Sequence, residues 1–196
     1  MKRRIFFGLA PLFILLLAMG VYAVTLFAKL GGRIDVILRE NFRSVLAGQE
    51  MKETAERMDS ALFFSLAGEE DRGRKLYAQN LPVFRESLRT ELGNITLPGE
   101  AELATKLKQA HEEYAARAET FWATPDLAAR RQMYFGEMLP AFTRIKDSAQ
   151  EIIRINQENM VQSDRAARHL AAESTRYMIL AIAAGIAGAV FFAARL

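Results

Sequence analysis

Cysteine is absent from this 196-residue chain, which excludes disulfide staples, thiol nucleophiles and cysteine-ligated metals. Histidine is nearly absent: only His111 and His169 occur, far apart in sequence. Neither belongs to an H-E-x-x-H motif or to the Glu-x-x-His pair of a diiron bundle. Glu112 and Glu113 follow His111 directly, and adjacent positions on a helix face different ways. Both histidines are therefore expected to be solvated helix residues. P-loop and Rossmann glycine patterns are missing, as are repeats and low-complexity linkers. No stretch alternates with period two over a useful length, so strands are not expected. With no convergent catalytic or ligating set, the expectation is a chain with no catalytic residues, no metal and no cofactor.

What the chain does contain is two long uncharged runs. Ile5 to Ala28 holds 24 residues without a charge, and Tyr177 to Ala194 holds 18 more. A helix needs about 20 apolar residues to cross the ~30 Å hydrocarbon core, so both runs reach that length. Spanning segments must satisfy their own backbone hydrogen bonds, so both are expected to be helical even with Pro11 in the first. The first run, behind Lys2, Arg3 and Arg4, also has the layout of a secretory signal. Its apolar stretch exceeds the ~7–15 residues of a signal core, so an uncleaved anchor is expected.

Charge orients the spans. All 23 acidic residues and 22 of the 26 basic ones lie between Lys29 and Arg176, a segment that nets −1. The remaining basic residues are Lys2, Arg3, Arg4 and Arg195, with no acid beside them. Basic residues near span ends stay in the cytoplasm, so both termini are expected inside and the 148-residue segment outside. The chain then divides into a cytoplasmic 1–4, a first span 5–28, an external domain 29–176, a second span 177–194, and the start of a cytoplasmic segment at 195–196. With charge nearly balanced in the external part and no base-contacting motif, nucleic acid is not expected as a partner.

The external segment reads as successive helices. From about Leu30 to Ala67, alternate steps of four and three run through Ile34, Leu38, Asn41, Val45, Gly48, Lys52, Ala55, Asp59, Leu62 and Leu66. Gly68 suits the end of that helix, and Glu69, Glu70 and Asp71 suit the start of the next. The second helix presents Tyr77, Leu81, Phe84, Leu88 and Leu92, with a mild kink expected at Pro82 and a stop at Gly93-Asn94. Pro98 suits the first turn of a third helix carrying Leu103, Leu107, Ala110, Tyr114, Ala118 and Phe121. Thr124-Pro125 reads as a cap and first-turn proline of a short piece that Gly136 and Pro140 interrupt. A last helix carries Phe142, Ile145, Ala149, Ile152, Asn156, Asn159, Ser163, Ala166 and Leu170 into the second span. The fold expected is all-α: an up-down-up-down four-helix bundle flanked by two transmembrane helices. Its outer pair has about 37 residues each, roughly 55 Å, against roughly 35 Å for the middle pair.

Polar residues interrupt the apolar seam. Counted from the span ends, Asn41 is level with Ser163, while Gly48 and Lys52 bracket Asn156. Lys52, Asn156 and Asn159, with Arg43 and Arg57 (and Arg39) as further cationic contacts, are the candidate site for a small polar or anionic ligand, perched between subunits or within one. The competing reading is a buried polar layer that sets helix register and oligomer state. Lys52 pairing with Glu151, and Arg57 with Asp147, are the simpler ion-pair assignments. Asn94-Ile95-Thr96 matches a glycosylation sequon but sits where a turn is expected. In the second span Ala181, Gly185 and Ala189, beside Ala184 and Gly188, form small-residue faces that favour close helix approach, so a homodimer is expected.

Three stretches carry a family resemblance: NFRSVLAGQEMKETAERMDSALFFSLAGE from Asn41 to Glu69, ELGNITLPGE from Glu91 to Glu100, and INQENM from Ile155 to Met160. The chain resembles the sensor region of KinB-type bacterial histidine kinases, the membrane kinases named for control of alginate production. The resemblance implies an all-helical periplasmic sensor in the bacterial inner membrane, a dimer, and a phosphorelay to a response regulator. In such kinases a HAMP linker, a phosphorylated histidine and an ATPase domain follow the second span. The chain stops at Leu196 without them, so it is expected to be a fragment or a truncated product with no kinase catalysis of its own. Two other readings fit the same architecture: the sensor region of a methyl-accepting chemotaxis receptor, and a membrane-anchored helical scaffold that binds no small molecule.

Overall fold

The structure is a computed structural model that describes residues 2–194, with the side chains of 2–9, 12, 38, 192 and 193 left out of the description. The expected cytoplasmic stretch 195–196 lies outside the described residues, as does Met1. Among the described residues the chain is all-helical, with no strand. Helix α1 spans Lys2–Asp35, a π-helical turn follows at Val36–Asn41, and α2 runs Phe42–Leu66. Then come α3 (Glu70–Leu92), α4 (Glu100–Ala123), α5 (Leu127–Met133), a second π-helical turn at Tyr134–Met138, and α6 (Leu139–Ala194).

The element ends follow local chemistry. Gly68 takes φ +95°, and the Glu69 N–H reaches the Phe64 carbonyl at 2.8 Å, which is the left-handed glycine stop that its position suggests. Gly99, at φ +82°, introduces α4, so Pro98 lies in the preceding turn rather than in the first helical turn. The cap of α5 is Asp126, whose carboxylate accepts from the Ala128 and Ala129 N–H groups, and not Thr124. Pro82 is carried inside α3 without ending it. Gly136 and Pro140 do not interrupt the chain either. The extra residue of a wider π turn is absorbed at 134–138, and Pro140 falls where α6 begins. The first long helix is likewise divided by the π turn at 36–41.

Two compact units result. One comprises residues 37–160. Its single core takes Met51, Met58 and Leu62 from α2, Phe84 and Leu88 from α3, and Leu107, Tyr114 and Phe121 from α4. The second π turn adds Tyr134 and Met138, and α6 adds Ile145, Ala149 and Ile152. Burying each large side chain contributes about 1.5–3 kcal/mol, so the apolar spacing along the helices is the main source of stability. Two glycines permit close helix approach. A Cβ at Gly73 would stand 2.4 Å from the Ala61 carbonyl oxygen, and one at Gly48 would stand 2.6 Å from Ile153 Cγ1. Gly48 thus leaves no vacant space for a ligand; Ile153 fills it.

The other unit comprises residues 1–36 and 161–196. Within it α1 meets the later part of α6 through Tyr22, whose hydroxyl donates to Ser174 Oγ at 2.8 Å. Two helices, within Phe13–Leu66 and Leu127–Phe191, are long and apolar enough to cross a membrane, with mean hydropathies of 2.1 and 1.5 over their best windows. Almost none of either window is buried, and Phe13, Leu17, Val24, Phe27, Ile179 and Val190 point outward. The core helix of a soluble protein hides such side chains; lipid accepts them.

Candidate functional site

The most unusual chemistry in residues 37–160 is a buried polar layer assembled from five helical elements and the α3–α4 connection. Asn41 closes the first π turn, and Ser44 lies one turn later on α2. Glu91 is in the last turn of α3, Asn94 follows in the connection, and Glu100 opens α4. Asn156 and Asn159 lie one turn apart on α6. Asn41, Ser44, Glu91, Glu100 and Asn156 are each 0% exposed.

Its hydrogen bonds tie the layer together. Asn156 Nδ2 donates to Glu100 Oε1 at 2.6 Å and to the Ile152 carbonyl at 3.0 Å. The other Glu100 oxygen accepts from the Thr96 and Leu97 N–H groups at 2.7 and 2.9 Å, so this carboxylate fixes the α3–α4 connection. Asn41 Nδ2 donates to Asn159 Oδ1 at 2.7 Å. Asn94 Nδ2 donates to the Glu40 carbonyl at 2.7 Å and to Ser44 Oγ at 2.9 Å. That nitrogen is the atom a glycan would occupy, and it is committed to holding the connection against α2. The sequon is structural.

What remains unmatched is all of one kind. Asn41 Oδ1, Asn156 Oδ1 and both oxygens of Glu91 have no hydrogen-bond partner. All four are acceptors. Burial pushes the Glu91 carboxyl up to about 7; the nearby Ser44 hydroxyl partly offsets this, and the charge of Glu100 adds to it. Among the described residues no lysine, arginine or histidine pairs with Glu91 or Glu100. Nor do three or more His, Cys, Asp or Glu side chains group together there.

The basic candidates read from the sequence are elsewhere. Lys52 is half-buried, and its ammonium donates to Gln150 rather than pairing with Glu151, which pairs with Arg154. Arg57 pairs with Glu53 one turn back on its own helix at 2.5 Å, not with Asp147. Arg43 is exposed beside a shallow groove that Glu50, Ser87 and Thr90 also line. Asn156 and Asn159 do join the buried layer, but none of the three cations comes with them. The register is one turn from the expected one: Asn41 meets Asn159, not Ser163, and Gly48 meets Ile153 and Ala149. Heights counted from the edges of apolar runs assume that both spans end level, whereas the fit of Gly48 against Ile153 sets the actual pairing.

His111 also departs from expectation. It is 4% exposed, stacked on Phe84 with ring centroids 4.2 Å apart, and its Nδ1 has no partner. Burial, helped by Arg85, pulls its pKa down to about 4. His169 is exposed, as expected, beside Glu173.

A third buried carboxylate, Asp59, has hydroxyl partners. The Tyr134 hydroxyl donates to its two oxygens at 3.0 and 2.9 Å, and Tyr114 approaches at 3.4 Å. Burial still raises its pKa, against the pull of Tyr134, Tyr114 and Lys146.

Sequence reasoning found Asn41, Asn156 and Asn159 but missed Ser44, Glu91, Asn94 and Glu100. The signal was present in another form: Glu91 and Glu100 are the first and last residues of the ELGNITLPGE stretch. Comparison with protein-family models, with curated proteins and with solved structures yields no match to this chain.

Proposed function

We propose that the chain is the sensing portion of a membrane receptor, and specifically the sensor region of a two-component histidine kinase of the bacterial inner membrane. In this reading residues 29–176 form an up-down-up-down four-helix bundle in the periplasm, between spans at 5–28 and 177–194 with both termini in the cytoplasm. The chain perceives a signal and passes it across the bilayer. Phosphotransfer to a response regulator belongs to a kinase portion that follows the second span in proteins of this kind.

One observation carries the reading. Helix α6 is continuous from Leu139 to Ala194, so Asn156 and Asn159 of the buried polar layer lie on the same helix as the apolar run at 177–194. A change in how the layer packs therefore has a direct covalent path toward the membrane, with no loop to absorb it. The three stretches on which the kinase resemblance rests, 41–69, 91–100 and 155–160, also supply every residue of the layer. Phe42 and Leu46, one turn apart on α2 and 44% and 49% exposed, leave an apolar strip that suits a homodimer.

Sidedness is tested with a single cysteine at Gly93 in intact spheroplasts, which an impermeant maleimide should label. Signalling is tested by cysteine pairs placed across α2 and α6 near Asn41 and Asn159. Crosslinking yields that change with an added stimulus support a receptor, and yields that stay constant across ions, pH and small polar solutes support a scaffold.

A further inference from the structure

We infer that the buried layer of Asn41, Glu91, Glu100 and Asn156 is a binding site for a hard divalent cation of the calcium class. Four oxygens in fully buried residues lack partners, and every one of them is an acceptor. Three of the four amide nitrogens in the layer are already used: Asn41 on Asn159, Asn94 on Glu40 and Ser44, Asn156 on Glu100 and Ile152; the fourth belongs to Asn159, which is only half-buried. A buried acceptor without a partner costs about 1–3 kcal/mol, and more when it is charged. The fully buried part of the layer is therefore rich in acceptors and short of positive charge.

The donor set selects the ligand. It offers carboxylate and amide oxygens with no sulfur or imidazole, which suits hard cations and not zinc, copper or iron. Calcium accepts 6–8 oxygens in flexible geometry, including bidentate carboxylates, while magnesium demands a near-ideal octahedron and keeps its waters. Side chains from four separate helical elements fit the first requirement better. An organic cation is the weaker fit, because Glu100 and Asn156 already bond each other across the layer at 2.6 Å.

The closest rival is a proton. Protonating Glu91 supplies one donor, which satisfies one acceptor and turns one carboxylate oxygen into a hydroxyl, leaving two oxygens unserved. A divalent ion brings two charges and takes carboxylate and amide oxygens alike. The geometry also gives the cation something to do: it would draw together Glu91 at the end of α3, Glu100 at the start of α4, Asn41 of the first π turn and Asn156 of α6. As a signal, the cation rests on the receptor reading above; as a ligand, it does not.

The test uses the full chain in nanodiscs, stripped with chelator at pH 7.5 and titrated with calcium chloride or magnesium chloride. Thermal unfolding is followed by circular dichroism and binding by calorimetry. A saturable rise in unfolding temperature with calcium is expected, larger than with magnesium. Glu91→Gln, which keeps the shape and removes the charge, should weaken calcium binding about tenfold or more. Its cooperative unfolding in chelator shows that it folds, and Lys52→Ala, at a half-buried position outside the layer, should bind as the parent does. Absence of a calcium-dependent shift at millimolar levels overturns the inference, as does an equal shift in Glu91→Gln. Calcium binding without any change in the crosslinking of cysteines placed on α2 and α6 beside the layer, with Asn41 and Asn159 kept, would leave the site standing and remove the receptor reading instead.

Discussion

Asp59 and Glu91 are two buried carboxylates in one core, and they are treated in opposite ways. Asp59 lies among aromatic residues that present hydroxyls, and both of its oxygens are met by Tyr134. Glu91 lies mostly among other acceptors, with the Ser44 hydroxyl the donor beside it, and neither of its oxygens is met in hydrogen-bond geometry. The first arrangement closes on itself: it locks α2, α4 and the π turn at 134–138 into one register and asks for nothing further. The second is complete only when something outside the chain, a cation or a proton, is added. Buried polarity is thus a fastening at one place and an opening for control at the other.

The largest expected effect comes from breaking the satisfied end. Tyr134→Ala removes a fully buried ring and orphans Asp59 together, and should cost about 4 kcal/mol or more in denaturant unfolding. A loss near 1 kcal/mol would mean that Asp59 is not held as described.

Next in size is relief of the unsatisfied end, measured in chelator. Glu91 has its folded pKa near 7, above the ~4.3 of an unfolded glutamate, so the unfolded chain releases that proton first as pH rises. Stability is fully present below about pH 4.3 and lost as pH climbs to about 7, an effect on the order of 3 kcal/mol. His111 acts in the opposite direction: its folded pKa near 4 lies below the ordinary 6.5, so stability falls as pH drops through that window. Subtracting the Glu91→Gln profile from the parent profile removes the histidine contribution. The variant should be the more stable protein at pH 8 and equal to the parent at pH 4; a flat difference across that range would show that Glu91 is not buried in the charged form.

A milder version of the first substitution follows. Tyr134→Phe keeps the ring and removes only its hydroxyl, leaving Tyr114 as the remaining tyrosine partner of Asp59. It should cost about 1–2 kcal/mol, and the Asp59 pKa, followed by carboxyl NMR, should rise further. The smallest effect is expected outside both regions: Lys52→Ala loses one exposed hydrogen bond to Gln150 and should stay within about 0.5 kcal/mol of the parent.

Much of the helical content could be read directly, because apolar spacing reports a helix face wherever that face is continuous. Tyr77, Phe84 and Leu88 on α3, and Leu107, Ala110, Tyr114, Ala118 and Phe121 on α4, are buried as their spacing predicts. The breaks were harder. Gly136 and Pro140 look like interruptions, yet Gly136 is absorbed in a π turn, a local rearrangement with no composition of its own, and Pro140 falls where α6 begins. The site was half legible. Asn41 and Asn156 stand out because they are polar in an apolar seam. Glu91 and Glu100 do not, because a glutamate in the last or first turn of a helix ordinarily faces water. His111 was misplaced for the same reason: whether a polar residue at the margin of an apolar face is covered depends on the neighbouring helix.

Composition and periodicity by themselves determined that this chain is helical, that two of its segments are apolar enough to enter a bilayer, and that it holds no cysteine chemistry. These are properties of single segments, governed by local spacing and by transfer of side chains out of water. Only the tertiary structure decided that Asn41 faces Asn159 and not Ser163, and that the basic residues stay apart while acceptors gather between α2, α3, α4 and α6. Register between helices is set by the packing of one surface into another, Gly48 against Ile153 above all, and no single segment carries that information.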